Sequence, residues 1–509
     1  MLARLHSVTL EGIEGVICEV EVDVGRHGFD KSIIVGLPDA AVKESIERVH
    51  SAIVNSGFKN PRTQSLINLA PADVKKAGPA FDLPIALGML VGQESLVNSG
   101  FNNTIVVGEL ALDGRVRPVN GVLSMAMTAA ANGFKRMLVP LENANEAAVV
   151  SDVEVFGVGT LAQAVGFLSS QLPLEPTNVD IEKIFDVEAN YDIDFSDVKG
   201  QESVKRALTV AAAGGHNIMM IGPPGAGKTM LAQRLATIMP PLSLEQSLET
   251  TRIYSSVGLL GKNQSLIATR PVRMPHHSAS GPALVGGGST PRPGELSLAH
   301  FGILFLDEFV EFPRHVLEMV RQPLEDGFVI VSRAKRSIQF PARFMLVAAM
   351  NPCPCGYFGS DSRKCKCTPN QVTKYMSKVS GPLVDRIDIH IDVPAISFSK
   401  LRSKTGELDS TTMRNDVTKA VGIQAQRFGN GKIHTNSAMS HKQVEKFCKL
   451  DSSGELMLKH AMTEFGLSAR AHDKICKLAR TIADLAGSED IAAEHIAEAI
   501  SYRKLDRKL

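Results

Sequence analysis

Short apolar runs alternate with amphipathic stretches over most of the chain, and the character of that alternation changes twice. Up to residue 170, β-like runs such as GVICEVEVDV (15–24), TIVVGELAL (104–112) and RMLVP (136–140) are separated by helical patterns such as AVKESIERVHSAIVNSG (41–57). This predicts an α/β or α+β domain over 1–170. A polar, proline-containing stretch follows, with Asp180, Glu182, Asp186, Glu188, Asp192, Asp194 and Asp197, and predicts an exposed acidic linker over 171–197. From 198 to 395, apolar strand candidates alternate with helices and Gly/Pro-rich loops, as a doubly wound parallel sheet requires. Over 396–509 the pattern is helical, most clearly in HDKICKLARTIADLAGSEDIAAEHIAEAISYRK (472–504).

Composition narrows this picture only slightly. A chain of 509 residues is too long for one core, and 44% apolar and 21% charged residues are ordinary for a globular protein. A net charge of +1 argues against a uniformly basic nucleic-acid coat but leaves local patches open. No run reaches the roughly 18 apolar residues of a spanning helix, and the first residues carry no signal-like apolar core. A cytoplasmic protein with no membrane partner is expected, and disulfides are not. Cys18, Cys448 and Cys476 stand alone in sequence and are expected as buried thiols.

The strongest chemical signal is MMIGPPGAGKTML (219–231), which completes the spacing GxxxxGK[ST]. An apolar run precedes it and the helical pattern MLAQRLATIM follows. In such a loop, Gly222, Pro223, Pro224, Gly225, Ala226 and Gly227 let backbone N–H groups wrap a β-phosphate at a helix N-terminus. Lys228 then neutralises phosphate oxygens, and Thr229 places its hydroxyl on Mg²⁺. A second element, GILFLDEF (302–309), is an apolar strand ending in two acids. Asp307 suits the Mg²⁺ shell, and Glu308 suits the orientation of an attacking water, which points to ATP hydrolysis rather than binding alone.

In this order the motifs resemble the AAA+ ATPases. FSDVKGQESVKRAL (195–208) is similar to the motif that frames the adenine, and FMLVAAMNP ends a strand with Asn351 at the position of a sensor residue that orients water. GPLVDRIDI carries Arg386, which resembles an arginine finger delivered into a neighbour's site, and LSARAHDKI carries Arg470, which resembles the second sensor of a lid helix. A finger acting in trans implies a homo-oligomeric ring. Lys228 and Asp307 lie 79 residues apart, which leaves room for an insertion, RMPHHSASGPALVGGGSTPRPGELSLAHFG (273–302). With the hairpin-like FVIVSRAKRSIQFPARF (328–344), it resembles the magnesium-chelatase and MCM branch, whose insertions point into a central pore. For His276 and His277 a loop or pore role is favoured over a metal site, since no carboxylate or cysteine lies at ligand spacing.

Between 328 and 378 the chain carries a local charge of +8, with Asp361 its single acid. That is a polyanion footprint, and Arg333, Lys335, Arg336 and Arg343 are the candidate DNA contacts. The first domain resembles the Lon protease domain in KKAGPAFDLPIALGML and LDGRVRPVNGVLSMAMTAAANGFKRMLVP. There the nucleophile position holds Ala80 and the lysine position Leu123, with Lys75 or Lys76 returning only if the alignment slips. Without nucleophile and base the domain is expected to be non-proteolytic.

Taken over nearly its whole length, the chain resembles the ComM/YifB family of magnesium chelatase-like proteins, on the blocks PHHSAS, ALVGGG, PRPGE, LFLDE and NPCPCG. The resemblance implies a P-loop AAA+ core with a helical lid behind a degenerate Lon-like domain. It also implies an ATP-driven hexameric helicase that moves branch points on single-stranded and branched DNA during natural transformation, with a recombinase as a further partner. A protein-remodelling chaperone and a magnesium-chelatase-type motor subunit are the alternatives; candidate pore loops rich in Gly, Ser, His or basic residues favour DNA. Cys353, Cys355, Cys365 and Cys367 form a complete tetrahedral set at the spacing C-x-C-x₉-C-x-C. Structural Zn²⁺ is the leading reading, and free reduced thiols or an iron–sulfur or redox role remain open.

Overall fold

A computed structural model of the chain describes residues 2–25, 32–60, 63–96, 101, 103–188, 191–261, 264–288, 291–333, 336–359, 363–396, 408–429 and 435–503. It forms two compact units. One comprises Met1–Glu188 with Ser243–Ala268, the other Ala189–Leu242 with Thr269–Leu509.

The first unit is built on a seven-stranded mixed sheet. Its spatial order is Ser32–Val35, Ser65–Ala70, Glu14–Val24, Leu2–Glu11, Thr104–Val106, Arg136–Pro140 and Glu154–Val158. The long pair Leu2–Glu11 and Glu14–Val24 is antiparallel, whereas the three later strands run parallel. Helix Asp82–Gly92 is buried along its whole length, which matches its apolar sequence LPIALGMLVG.

Two segments depart from the expected organisation. Within the acidic stretch 171–197, residues Ile181–Glu188 form a helix whose Ile181, Ile184 and Phe185 pack beside Leu123, Val149 and Leu266. Helical spacing of three apolar residues is enough to dock this turn despite the flanking acids. Residues 243–268, read from sequence as part of the ATPase core, fold with the first unit. Helix Leu244–Ser256 starts at a capping box made by Ser243 and Gln246 and lies against helix Val122–Ala131. Arg252 donates to Glu14 at 2.6 Å and to the Ser124 hydroxyl at 3.3 Å. Ser255 bonds the buried carboxylate of Glu146, which also accepts the Leu123 N–H at 2.9 Å.

The second unit has a five-stranded, all-parallel sheet in the order Val272–Arg273, Ile303–Leu306, Met345–Met350, Ile218–Ile221 and Ile389–Asp392. The central strands IMMI, ILFL and MLVAAM are buried at every position, as strands covered on both faces must be. Mixed α/β architecture with a mostly parallel sheet and a helical C-terminal region is therefore the fold. The chain order of the strands reverses beside Ile218–Ile221, so the crevice at the carboxyl ends of the sheet is the natural ligand site. Helices Ser410–Phe428, His441–Phe447, Ser452–Phe465, Ala469–Leu485 and Ala493–Ser501 complete the unit and share one apolar core with the sheet.

Candidate nucleotide-binding and catalytic site

Three neighbouring strands deliver their polar residues to one edge. The strand Ile218–Ile221 runs into the glycine loop, Ile303–Leu306 into Asp307 and Glu308, and Met345–Met350 into Asn351. At Gly222 the chain passes so close to Val393 that a Cβ would lie 2.3 Å from its carbonyl oxygen. Gly225 and Gly227 adopt φ of +77° and +82°, open positions that L side chains rarely take. Gly222, Pro223 and Ala226 are buried, and Pro224 and Gly225 face solvent. Gln201, in the stretch aligned with the adenine motif, braces the loop by donating to Ala226 O at 2.9 Å and Pro394 O at 3.1 Å.

Lys228 opens helix Lys228–Ile238, with Gly227 as its cap. Its ammonium donates to Gly222 O at 2.7 Å, Pro223 O at 3.1 Å and Asn351 Oδ1 at 3.2 Å. Burial pulls its pKa below the usual lysine value, against the attraction of Asp307 and Glu308. The Thr229 hydroxyl donates to Asp307 Oδ2 at 2.8 Å. An ammonium, a hydroxyl, a carboxylate and the free N–H groups of a helix start converge there, the donor set that a polyphosphate and a hard cation require. Thr229 and Asp307 are oxygen donors of the right kind for Mg²⁺.

Glu308 stands at φ +50°, rare for a residue with a side chain, and its own N–H donates to Asp307 Oδ1 at 2.9 Å. Its carboxylate pairs with His277 at 3.0 Å. Asn351 is half-buried at the end of its strand, with Tyr375 beside its backbone. Burial, with Glu311 nearby, raises the Tyr375 pKa to about 12, so the phenol stays protonated. Arg386 bonds within its own chain, to Glu325 and to the Pro382 carbonyl, the latter at 2.6 Å. Its backbone is clamped by Asn217, which donates to Arg386 O at 3.1 Å and accepts Leu346 N–H at 2.8 Å. Arg470 is exposed in the first turn of helix Ala469–Leu485. Sequence reasoning missed Asn217, His277, Glu325 and Tyr375 as members of this region. Their pairings span long intervals that no local motif records.

The cysteines do converge. Cys353, Cys355, Cys365 and Cys367 place their sulfurs within 4.8 Å of one another, the one such metal-capable group among the described residues. The Sγ separations from Cys353 to Cys355 and Cys365 are 3.4 and 3.8 Å, and Cys355 to Cys365 is 3.5 Å. A tetrahedron with Zn–S bonds near 2.3 Å has edges of about 3.8 Å, so the set fits a Zn²⁺ ion. The knot abuts the nucleotide loop: a Cβ on Gly356 would lie 2.6 Å from Pro224 Cδ.

The candidate DNA residues do not gather at one point. Strands Phe328–Arg333 and Arg336–Pro341 form a hairpin in which Arg333 is in register with Arg336, and Lys335 lies outside the described residues. Arg343 is exposed at the other end, against Gly327 at the hairpin's base, roughly 20 Å from the tip at strand spacing. In the first unit, Ala80 and Leu123 are both buried and apolar. Lys76 is buried and bonds the Pro71 carbonyl, while Lys75 is exposed. No described helix is long and apolar enough to cross a membrane.

Three family descriptions match in succession: subunit ChlI of Mg-chelatase over residues 20–143, magnesium chelatase subunit ChlI over 194–401, and the ChlI C-terminal region over 407–503. The competence protein ComM of Haemophilus influenzae is 43% identical over 100% of this chain and 98% of its own length. The chain belongs to the ComM/YifB family. The Escherichia coli member YifB is 41% identical over 100% of this chain and 98% of its own length. A magnesium-chelatase 38 kDa subunit of Rhodobacter capsulatus is 27% identical over 31% of this chain and 50% of that protein. Membership brings the AAA+ core of the magnesium-chelatase family to the strand-edge site described above.

Proposed function

We propose that this protein is an ATP-hydrolysing ring motor, a homo-hexamer that translocates on DNA and drives branch migration in homologous recombination during natural transformation. The reading is carried by the convergence of Lys228, Thr229, Asp307, Glu308 and Asn351 at one sheet edge. A full-length relative named as a competence protein supports the biological setting. ATP is the substrate. Lys228 and the 222–227 loop hold its phosphates, and Thr229 and Asp307 hold Mg²⁺, which supplies charge neutralisation at the phosphates. Glu308 and Asn351 orient the attacking water, Arg386 of one subunit stabilises the transferred charge in its neighbour, and Arg470 follows the nucleotide state from the lid. Arg333, Lys335, Arg336 and Arg343, with the 273–302 segment, contact the phosphate backbone. Structural Zn²⁺ at the four cysteines braces the nucleotide loop through Gly356 and Pro224. The front domain, with Ala80 and Leu123 at the Lon-like positions, serves assembly or DNA contact without proteolysis.

The decisive experiment compares ATP turnover and branch migration with single-stranded, duplex and forked DNA at one stated salt. Lys228→Ala and Glu308→Gln should each lose turnover by about 100-fold or more while the fold survives. Parent-rate unwinding by either variant overturns the motor site, and turnover indifferent to every DNA points to a protein-remodelling ATPase. Metal analysis should find one zinc per chain, lost in Cys365→Ser; zinc-free parent protein rejects that part of the reading.

A further inference from the structure

The basic charge between 328 and 378 does not end with the hairpin. Residues 351–378 carry Arg363, Lys364, Lys366, Lys374 and Lys378 against one acid, Asp361, which lies outside the described residues. Lys378 is engaged, with Glu311 at 3.5 Å and the Tyr375 ring at 5.6 Å. Arg363, Lys364, Lys366 and Lys374 are exposed, and none has an acidic partner among the described residues. The hairpin keeps Phe340 buried and Phe328 half-buried, so it offers charge to a phosphate backbone and no ring to a base.

The cysteine knot does offer one. Phe358 is 50% exposed, the one exposed phenylalanine among the described residues. A single exposed apolar side chain is ordinary on a protein surface, so its setting has to carry the argument. Cys355 Sγ and Cys365 Sγ lie 3.5 Å apart, which holds the arms 355–359 and 363–367 side by side. The Cys367 N–H turns onto Cys365 Sγ at 3.4 Å and tightens the second arm. Across the arms, the Arg363 guanidinium stands 5.0 Å from the centroid of the Tyr357 ring, within cation–π range. Phe358 therefore leaves a stiffened arm beside a stacked guanidinium, with the exposed Lys364 and Lys366 on the arm opposite. Exposed rings with cations beside them are how proteins grip single strands, ring against base and cation against phosphate. A duplex keeps its base faces stacked, so the ring selects unpaired nucleotides.

We propose that the cysteine knot is a second DNA contact, specific for single strands: the Phe358 ring stacks on an unpaired base, while Arg363, Lys364 and Lys366 hold the flanking phosphates. This rests on the reading of the protein as a DNA motor. It uses the juxtaposition of the two arms and needs no particular metal between the sulfurs.

The test is fluorescence anisotropy of the full chain at several salt concentrations, with a labelled oligothymidylate, an abasic strand of the same length and a duplex. Phe358→Ala should weaken oligothymidylate binding by about five- to 100-fold and leave the abasic strand and the duplex unchanged. Phe358→Trp should restore the parent affinity, and Phe358→Leu, apolar but without a ring face, should not. Lys364→Ala and Lys366→Ala should each flatten the slope of log affinity against log salt by about 0.7 on both single strands. Parent affinity in a folded Phe358→Ala protein overturns the proposal, as does an equal loss on the abasic strand. Rescue by Phe358→Leu overturns it too, and marks an apolar protein-docking surface instead. A parent protein that binds none of the three probes removes the DNA reading itself; one that binds them, with Phe358→Ala indistinguishable from it, removes only the role of the knot.

Discussion

Two charged regions of the second unit are built on opposite principles. Where the lid meets the sheet, Asp388 accepts from His216 at 3.3 Å and pairs with Lys474 at 3.0 Å, with side chains 13%, 0% and 16% exposed. Nearby, the fully buried carboxylate of Asp484 takes Arg427, Arg480 at 3.0 Å and Asn436 at 2.8 Å. At the catalytic edge, by contrast, the carboxylates of Glu308 and Glu325 are more than half exposed in their pairs with His277 and Arg386. Breaking a buried pair strands a charge in low dielectric at about 3–5 kcal/mol, whereas an exposed pair is worth about 1 kcal/mol or less. The joint between helices and sheet is therefore stiff, and the carboxylates at the strand edge are loosely held. The two meet within four residues. Asn217 O accepts the N–H groups of Asp388 and Ile389 at 2.9 and 3.0 Å, and its amide holds Arg386 O, so the backbone of Arg386 is fixed, while its guanidinium, on a side chain 15% exposed, rests on the exposed Glu325 carboxylate.

The largest effect is expected at the joint. Asp388→Asn leaves Lys474 without its counter-charge and should lower stability by about 3 kcal/mol in urea unfolding. Burial works to raise the Asp388 carboxyl, but Lys474 and His216 outweigh it and hold it well below the usual carboxylate range. A depressed folded-state pKa gives stability that is fully present above the unfolded value of about 3.9 and is lost as pH falls through the folded value. The gap between parent and Asp388→Asn should thus be equal at pH 7 and pH 5 and narrow only below about pH 4. A variant as stable as the parent, or a gap already smaller at pH 5, would mean the joint is not held by this carboxylate.

The contrast also explains what could be read along the chain. The glycine loop, Asp307 and Asn351 were legible because backbone approach and strand ends impose small residues and fixed neighbours over a few positions. The parallel sheet was legible because strands buried on both faces leave unbroken apolar runs such as ILFL. The ion pairs around the site were not. His277 and Glu308, Glu325 and Arg386, and Asp388 and Lys474 are joined only by tertiary geometry, and a lone histidine or glutamate carries no mark of its partner. Helix Leu244–Ser256 was assigned to the ATPase core for the same reason. Its sequence LEQSLETTRIYSS is amphipathic at best, and what fixes it in the first unit is the bonding of Arg252 and Ser255 to Glu14, Ser124 and Glu146. The convergence of the four cysteines was open in sequence because C-x-C spacing is uncommon, and it took the Sγ separations to make the set a plausible metal cage.

The smallest effect on stability is expected at the other pole of the comparison. Glu325 stands on helix Arg314–Asp326, is 57% exposed, and holds the guanidinium of Arg386 together with the Pro382 carbonyl. Glu325→Gln should cost less than about 1 kcal/mol in unfolding, because water replaces what the carboxylate gave. If Arg386 serves a neighbouring subunit, that same substitution frees it for the interface. ATP turnover at subunit concentrations that only partly assemble should then rise, by no more than about fivefold, and converge on the parent at saturating concentration. Arg386→Ala, measured beside it, should stay low at every concentration. A stability loss near 3 kcal/mol in Glu325→Gln would place this pair with the buried joint, and concentration-independent turnover would remove the reason for keeping Arg386 on an exposed tether.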